Sequence, residues 1–346
     1  MLGNRVTLTP MLTILTDLPD DFLDASAGGL HQILPGPTLI HLPGRRAQPL
    51  FVCALLHGNE DTGLKAVQSV LGNYRDRELP RALSLFIGNV EAAAQGQRHL
   101  EGQPDYNRVW PGADTSGLPE HAMMLEVVEQ MRARRVFASI DIHNNTGVNP
   151  HYGCVNRLEA PVLHLATLFS RVVVYFKRPL GVQSAAFAAL CPSVTVECGK
   201  AGNVGSETHA AAFLEAALRL DHLPEHPVPK HDLALYHTVA TVKVPDQVRF
   251  AFGGSDAQVW FEPDLDHMNF RDLPAGTRLG KVAAACRQPL LALDEEGCDV
   301  FENYFEIRGG ELRTRRPVTP SMLTLNEQVI RQDCLCYLME KLPYEG

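Results

Sequence analysis

The first two-thirds of the chain alternates short apolar runs with stretches of helical periodicity, and this alternation restricts the fold more than any other feature. Five runs are predicted strands, at 49–56, 82–89, 136–142, 171–176 and 193–198. The first of them is continuously apolar, as expected of a strand buried on both faces. Three stretches have helical spacing, at 61–74, 119–135 and 208–220. The pattern predicts an α/β fold in which helices flank both sides of a mainly parallel or mixed sheet.

The sequence changes in character after this region. Residues 221–232 hold three prolines among charged residues and histidines, which is typical of a linker. The runs beyond it are short, strand-like and separated by turn residues, and a helix is predicted near 325–341. We therefore predict a larger domain over residues 1–228 and a smaller β-rich domain over residues 229–346.

The charge balance excludes some classes of partner. The chain has 346 residues and a formal net charge of −9, which disfavours binding to nucleic acid or to an anionic membrane surface. No apolar run approaches the roughly 18 residues that span a bilayer. The eight cysteines are scattered irregularly, which indicates reduced thiols in a cytoplasmic protein. Homo-oligomer formation is compatible with the sequence, which does not give the oligomeric state.

Metal-binding side chains follow the first predicted strand. His57 and Glu60 are three residues apart in a strand-to-helix turn, and Gly58 permits the turn to be tight. An imidazole and a carboxylate at this spacing can converge on one zinc ion, which keeps one position open for water in catalytic sites. Taken alone, the motif is more typical of a surface histidine followed by a glutamate at a helix N-terminus.

Two further strand ends carry residues of the same kind. His143 follows the strand at 136–142 and is the natural third ligand, while Asp141 either orients its imidazole or caps the next turn. Glu197 lies in the apolar run 193–198 as a salt-bridged core residue or as a general base beside a metal-bound water. Because active-site residues of open α/β sheets gather at the carboxyl ends of strands, the three strand ends together predict a metal-dependent active site.

A loop after the second strand carries residues suited to carboxylate recognition. Arg98, Asn107 and Arg108 lie there, and guanidinium groups bind carboxylates through two parallel hydrogen bonds. The same three residues could belong to an ordinary surface loop.

The order of these motifs resembles the succinylglutamate desuccinylase/aspartoacylase family, which belongs with the zinc carboxypeptidase-like hydrolases. The motifs are H-G-N-E, N-R, D-x-H-N and V-E-x-G, at 57–60, 107–108, 141–144 and 196–199. The stretch 195–206 resembles the desuccinylase branch, Asn144 resembles the aspartoacylase branch, and 269–282 resembles part of the desuccinylase C-terminal β domain. The resemblance implies a zinc carboxypeptidase-like mixed sheet in a catalytic domain over 1–228.

The resemblance also implies a reaction. His57, Glu60 and His143 would bind one zinc ion per chain, and Glu197 would take a proton from the zinc-bound water and pass it to the leaving amine. The implied chemistry is hydrolysis of the amide bond of a small N-acyl amino acid.

Substrate contacts are implied in the same way. Arg98 matches the arginine that polarises the scissile carbonyl and stabilises the oxyanion, and Asn107 and Arg108 match the pair that contacts a substrate carboxylate. Asn144 is a further substrate-binding candidate. Tyr304 lies where the aspartoacylase C-terminal domain contributes a tyrosine, although its flanking residues match poorly.

The sequence departs from the family pattern at one place. The aspartoacylase branch has a substrate-binding arginine about ten residues before the catalytic glutamate, but residues 184–190 carry no positive charge and the nearest upstream arginine is Arg178. The acyl group and the amino acid therefore stay open. The alternatives are a metallocarboxypeptidase that acts on peptide C-termini and a non-catalytic binding protein of the same fold, which would not need all four of the residues placed at the metal and the general base.

Overall fold

The computed structural model describes residues 11–254 and 256–345. The strands are β1 (Thr13–Leu15), β2 (Thr38–Leu42), β3 (Gly44–Ala54), β4 (Leu79–Ile87), β5 (Ala138–His143), β6 (Tyr152–Val155), β7 (Val172–Tyr175), β8 (Ser193–Glu197), β9 (Ala234–Lys243), β10 (Phe250–Ala251), β11 (Val259–Phe261), β12 (Arg278–Val282), β13 (Leu291–Leu293), β14 (Phe305–Arg308), β15 (Glu311–Thr314), β16 (Thr319–Ser321) and β17 (Cys336–Lys341). The α-helices are α1 (Thr62–Gly72), α2 (Val90–Ala94), α3 (Pro119–Ala133), α4 (Ala160–Phe169), α5 (Gln183–Phe187), α6 (Val204–Arg219), α7 (Phe301–Tyr304) and α8 (Glu327–Gln332). Within the described ranges, every helix is too short or too polar to cross a membrane.

The chain divides into two compact units that interleave along the sequence. Among the described residues, the first unit contains 11–143, 179–195 and 210–222. The second contains 144–178, 196–209 and the remainder from Leu223 onwards. Strand β8 and helix α6 each have residues in both units. The domain boundary near residue 228 stays a prediction.

The sheet of the first unit is mixed. Its strand order is β1-β2-β4-β3-β5, with β2 antiparallel to β4 and β3 parallel to both β4 and β5. Strand β3 is buried on both faces because successive side chains of a strand point to opposite sides. Leu50 and Val52 pack against α1 and the later part of α6, whereas Phe51 and Cys53 pack against α3. The predicted α/β fold, with a mixed sheet between helices, is confirmed.

The second unit contains the β-rich C-terminal part of the chain. Strands β6, β7 and β9 are parallel neighbours, and β17 pairs with β9 and with β16 in antiparallel register. A separate five-stranded sheet has the order β10-β11-β12-β15-β14. The buried core of the second unit draws on both sheets and includes Val242, Leu290, Phe305 and Leu312. The predicted β-rich C-terminal part is confirmed.

The helix predicted near 325–341 is wrong for most of its length. Helix α8 covers only Glu327–Gln332, and the chain continues as strand β17. Cys336 and Leu338 are buried and Tyr337 between them is more exposed, as expected for a strand, and this alternation breaks at Met339, where the register with β9 shifts. Pairing with β9 decides the conformation of residues 336–341. The backbone N–H and C=O groups of this segment are hydrogen-bonded to β9, although the local sequence is also compatible with a helix.

Candidate metal centre

His57 and Glu60 lie in a tight turn between β3 and α1. The turn begins at Leu55, whose φ of 57° is in the left-handed region, and the backbone N–H of Glu60 donates to the His57 carbonyl at 3.2 Å. A Cβ on Gly58 would lie 2.2 Å from the backbone nitrogen of Ala93. Only glycine fits this position without a shift of the backbone, so the glycine of the motif fixes how closely the turn packs on α2.

His143 ends strand β5, and the strand itself supplies its partner. Asp141 lies two residues earlier, and therefore on the same face, and its Oδ2 is 2.8 Å from His143 Nε2. Cys53 is paired with Asp141 in the β3–β5 register, and burial and the nearby Asp141 carboxylate raise the pKa of its thiol well above the usual value. The carboxylate holds the Nε2 side of the imidazole, which leaves Nδ1 to face the centre.

Three side chains from the two strand ends converge on one point. The Nδ1 atoms of His57 and His143 are 2.8 Å and 2.9 Å from the two oxygens of Glu60, and 3.2 Å from each other. All three residues are buried, and one ligand atom from each lies within 4.8 Å of the other two. Two imidazole nitrogens that face each other beside a carboxylate are a donor set that zinc accepts. The residues therefore fit a divalent metal ion.

The buried charges of Glu60 and His143 shift each other's pKa. Burial alone would raise the pKa of Glu60, but the charges of His57 and His143 and their hydrogen bonds hold it well below its usual range. Burial alone would lower the pKa of His143, yet Asp141 and Glu60 raise it well above the usual value. The lowered pKa keeps the Glu60 carboxylate ionised, which is the form that binds a metal, and a bound metal ion would take the place of the proton on His143.

Asp105 is a functional candidate that the sequence analysis missed. Its Oδ1 is 3.0 Å from His57 Nε2 and accepts a hydrogen bond from the backbone N–H of Asn107 at 2.7 Å. Burial alone would raise the pKa of Asp105, but the charges of Arg98, His57 and Arg108 lower it well below its usual range. Asp105 thus orients His57 as Asp141 orients the other histidine. Its position two residues before the candidate Asn107 was the signal in the sequence that could have identified it.

Arg98 lies beside the same carboxylates. Its Nη2 is 2.9 Å from Asp105 Oδ2, and its Nη1 is 3.6 Å from Glu60 Oε1. The side chain is only 11% exposed, so its position is set by these contacts. A buried guanidinium next to the metal ligands can donate hydrogen bonds to an oxygen that gains negative charge.

Asn107 and Arg108 border the candidate metal-binding residues in the first unit. Asn107 Nδ2 is 3.3 Å from His143 Nε2, and its Oδ1 accepts a hydrogen bond from the backbone N–H of Gln183 at 2.9 Å. Arg108 Nη1 donates to the Asn107 carbonyl at 2.8 Å. Gly181 has a φ of 71°, and a Cβ there would lie 2.4 Å from the Arg108 carbonyl oxygen. The segment before α5 therefore fixes the N-R pair.

Glu197 and Asn144 belong to the second unit. Glu197 ends β8 and is 5% exposed. After burial, its charge is the next largest cause that raises the pKa of Tyr152 and of Cys154, so both lie near its carboxylate. Asn144 Nδ2 donates to the Gly199 carbonyl at 2.9 Å, which ties the residue after a metal ligand to the turn after Glu197. Their roles with substrate stay predictions.

The two weaker candidates lie elsewhere in the second unit. Tyr304 is buried in the hydrophobic core of this unit, with the Arg316 guanidinium 5.4 Å from its ring centre. Arg178 is exposed, and its Nε donates to the backbone carbonyl of Glu295. Core packing is sufficient to explain the burial of Tyr304, and its substrate contact stays a prediction.

Comparison with known proteins identifies a family. The sequence matches the succinylglutamate desuccinylase/aspartoacylase catalytic domain over residues 46–222, slightly more than half of the chain. The matched region contains all the predicted metal ligands and Glu197, together with the candidates Arg98, Asn107, Arg108 and Asn144. No curated protein sequence matches the chain.

Solved structures show the same fold. The succinylglutamate desuccinylase from Chromobacterium violaceum is 17% identical, with a TM-score of 0.56 over 88% of this chain and 87% of that chain. A succinylglutamate desuccinylase/aspartoacylase from Rhodobacter sphaeroides is 15% identical, with a TM-score of 0.58 over 87% and 88%. Murine aminoacylase 3 is 15% identical, with a TM-score of 0.54 over 86% and 96%. At these identities the likeness concerns the fold.

Proposed function

Because the chain belongs to the succinylglutamate desuccinylase/aspartoacylase family, we propose that it hydrolyses the amide bond of a small N-acyl amino acid and binds one zinc ion. The observation that carries the proposal is the convergence of His57, Glu60 and His143, with a carboxylate behind each imidazole. Ligands and orienting carboxylates of this kind are what a hydrolytic zinc site requires. The proposed substrate is a diffusible small molecule in the cytoplasm.

The residues of the chain divide the chemistry between them. Lewis acidity from zinc held by the three ligands would make water nucleophilic near neutral pH and stabilise developing negative charge. Glu197 accepts a proton from the attacking water and delivers it to the leaving amine nitrogen. Arg98 donates hydrogen bonds to the scissile carbonyl oxygen, and it needs no reorganisation because its side chain is buried and ion-paired.

Asn107 and Arg108 bind the α-carboxylate of the amino acid. Asn107 is 7% exposed and is held by the Gln183 backbone, so its amide cannot rotate freely. Arg108 is half-buried and packs its guanidinium against the Asn107 carbonyl. A fixed amide and a guanidinium side by side orient a carboxylate more precisely than a flexible lysine would.

The experiment that tests the function is a substrate panel. Amine release would be measured from N-acetyl and N-succinyl amino acids and from dipeptides, with zinc quantified in the same preparation. We expect turnover of one N-acyl class and its loss on chelation. Turnover of dipeptides alone would make the protein a metallocarboxypeptidase, and a zinc-free preparation that hydrolyses nothing would make it a binding protein.

Arg108→Ala is expected to raise KM for the N-acyl amino acid about tenfold or more while kcat changes less. The reason is that a charge-assisted contact to a carboxylate contributes about 1.5–3 kcal/mol, and this contact exists before the transition state. Steady-state kinetics gives both constants, and Arg75→Ala, at an exposed arginine of the same unit, is the control. An unchanged KM would remove Arg108 from the binding site.

A further inference from the structure

The segment between α2 and α3 carries four of the candidate site residues without regular structure of its own. Arg98, Asp105, Asn107 and Arg108 lie in it, and residues 95–118, all of which the structure describes, contain no helix or strand. Helices and strands fix side chains through repeated backbone hydrogen bonds, which this loop lacks. Its conformation therefore depends on individual contacts, and these contacts decide where the four side chains lie.

The side chain of Gln103 joins both sides of this loop to the start of α2. Its Oε1 accepts hydrogen bonds from Asn89 Nδ2 at 2.8 Å and from the backbone N–H of Leu100 at 3.1 Å, and its Nε2 donates to the Tyr106 hydroxyl at 3.3 Å. A glutamine amide is both acceptor and donor, so one planar group makes all three contacts at once. Leu100 and Tyr106 belong to opposite sides of the loop, which Gln103 therefore closes.

The anchor of this amide is fixed to the segment that leads to the metal centre. Asn89 is buried, and its Oδ1 accepts a hydrogen bond from the backbone N–H of Ala92 at 3.1 Å, which caps α2. Its own backbone N–H donates to the Leu55 carbonyl at 2.6 Å. Leu55 begins the tight turn between β3 and α1. Gln103 thus ties the loop to the same turn that presents two of the candidate metal ligands.

The loop that Gln103 closes sets the position of Asp105. The two oxygens of this carboxylate serve different partners. Oδ1 is 3.0 Å from His57 Nε2, whereas Oδ2 accepts hydrogen bonds from Arg98 Nε and Nη2 at 3.2 Å and 2.9 Å. N–H···O hydrogen bonds hold over a range of only about 0.5 Å, so a small displacement of Asp105 would loosen the imidazole and the guanidinium together.

We propose that Gln103 is a positioning residue of the active site, which acts through Asp105 on His57 and on Arg98. The inference rests on the function proposed above. With Gln103 in place, Asp105 holds His57 in the orientation that binds the metal ion and holds Arg98 for the scissile carbonyl oxygen. A partner behind a metal-binding histidine contributes about tenfold to a hundredfold in metal affinity. A residue that fixes such a carboxylate should contribute part of this, about tenfold.

The test uses Gln103→Met, whose side chain has the same length and makes none of the three hydrogen bonds. The zinc dissociation constant is measured by competition with a chromogenic chelator. Steady-state kinetics is measured at saturating zinc on the N-acyl amino acid that the wild-type protein hydrolyses. We expect zinc affinity to fall about tenfold. We expect kcat to fall about tenfold with a smaller change in KM, because the Arg98 contact strengthens in the transition state.

Three further variants separate positioning from a purely structural role. In Gln103→Glu the carboxylate can accept all three hydrogen bonds, because the Tyr106 hydroxyl can also donate, so both readouts should recover. Tyr106→Phe removes one of the three hydrogen bonds and should give a smaller loss of zinc affinity and of kcat. Gln95→Met, at an exposed glutamine just after α2, should change neither.

Unchanged zinc affinity and kcat in Gln103→Met would overturn the inference, even with a lower melting temperature, since Gln103 would then support the fold alone. Equal losses in Gln103→Met and Gln103→Glu would also overturn it, because the hydrogen bonds would not be their cause. If Gln103→Met does not fold, unchanged values in Tyr106→Phe would overturn it.

Failure of the proposed function gives a different result. A wild-type protein that binds zinc but hydrolyses no N-acyl amino acid would overturn the proposed function, and the zinc dissociation constants would still decide whether Gln103 positions His57. A wild-type protein that binds no zinc would overturn both.

Discussion

Glu197→Gln is expected to retain zinc and to lose at least about a hundredfold in kcat, the scale of removing a general base. Glutamine has the shape of glutamate, so the packing at the end of β8 is preserved and the metal ligands in the first unit are unchanged. The amide oxygen is too weak a base to accept the proton of the attacking water. The loss should appear in kcat because the proton moves only in the transition state.

The measurement pairs steady-state kinetics with zinc content for the same preparation. Glu302→Gln provides a matched control, since this glutamate is 80% exposed. Loss of zinc together with activity in Glu197→Gln would mean that Glu197 supports the metal site, and near-normal turnover would remove it from the mechanism. A reduced kcat with normal zinc content is the result that assigns it the role of base.

Strand positions were predictable from sequence where burial on both faces leaves an unbroken apolar run. Residues 49–56 correspond to the buried half of β3, whose core side chains contact helices on both sides. The first half of β3 was not predicted because Arg45 and Arg46 make it polar and partly exposed, although it pairs with β4. Pairing of this kind depends on the neighbouring strand, so the local sequence predicts it poorly.

The centre of the site was predictable for a different reason. His57, Glu60 and His143 follow strands, and parallel strands place their carboxyl ends together, so sequence order alone brings the three residues to one edge. Asp105 was missed because it lies in a loop without strand or helix periodicity, 48 residues from His57. The Cys53 contact with Asp141 depends on the register of β3 against β5, which sequence does not specify.

The C-terminal part shows where local pattern fails. Tyr304 is buried in a core made of residues far apart in the chain, and its contact with substrate stays a prediction. Asn269 and the backbone of Leu323 exchange two hydrogen bonds, although these residues are 54 positions apart and belong to irregular segments. Contacts between loops of this kind are not encoded in periodicity, so they are the hardest to find from sequence.

His143→Ala is expected to abolish stoichiometric zinc binding and to lower kcat/KM by about a thousandfold or more. A catalytic zinc ion needs three protein ligands, and the ion contributes several kcal/mol to stabilising the transition state. The variant also leaves Asp141 buried without its 2.8 Å imidazole partner, so its thermal stability should fall. Zinc content by elemental analysis, kinetics and thermal unfolding should be measured together.

His143→Ala removes both the metal ion and the partner of Asp141. Removal of the metal from the wild-type protein separates these two effects. Chelation takes away the ion but leaves the pairs His57–Asp105 and His143–Asp141 in place, at 3.0 Å and 2.8 Å. The chelated protein should therefore be as inactive as His143→Ala. It should regain activity when zinc is added, whereas the variant should not. If the variant recovered full activity with added zinc, His143 would not be a ligand. If chelation left activity intact, the centre built by His57, Glu60 and His143 would serve structure, and the hydrolytic mechanism would have to be abandoned.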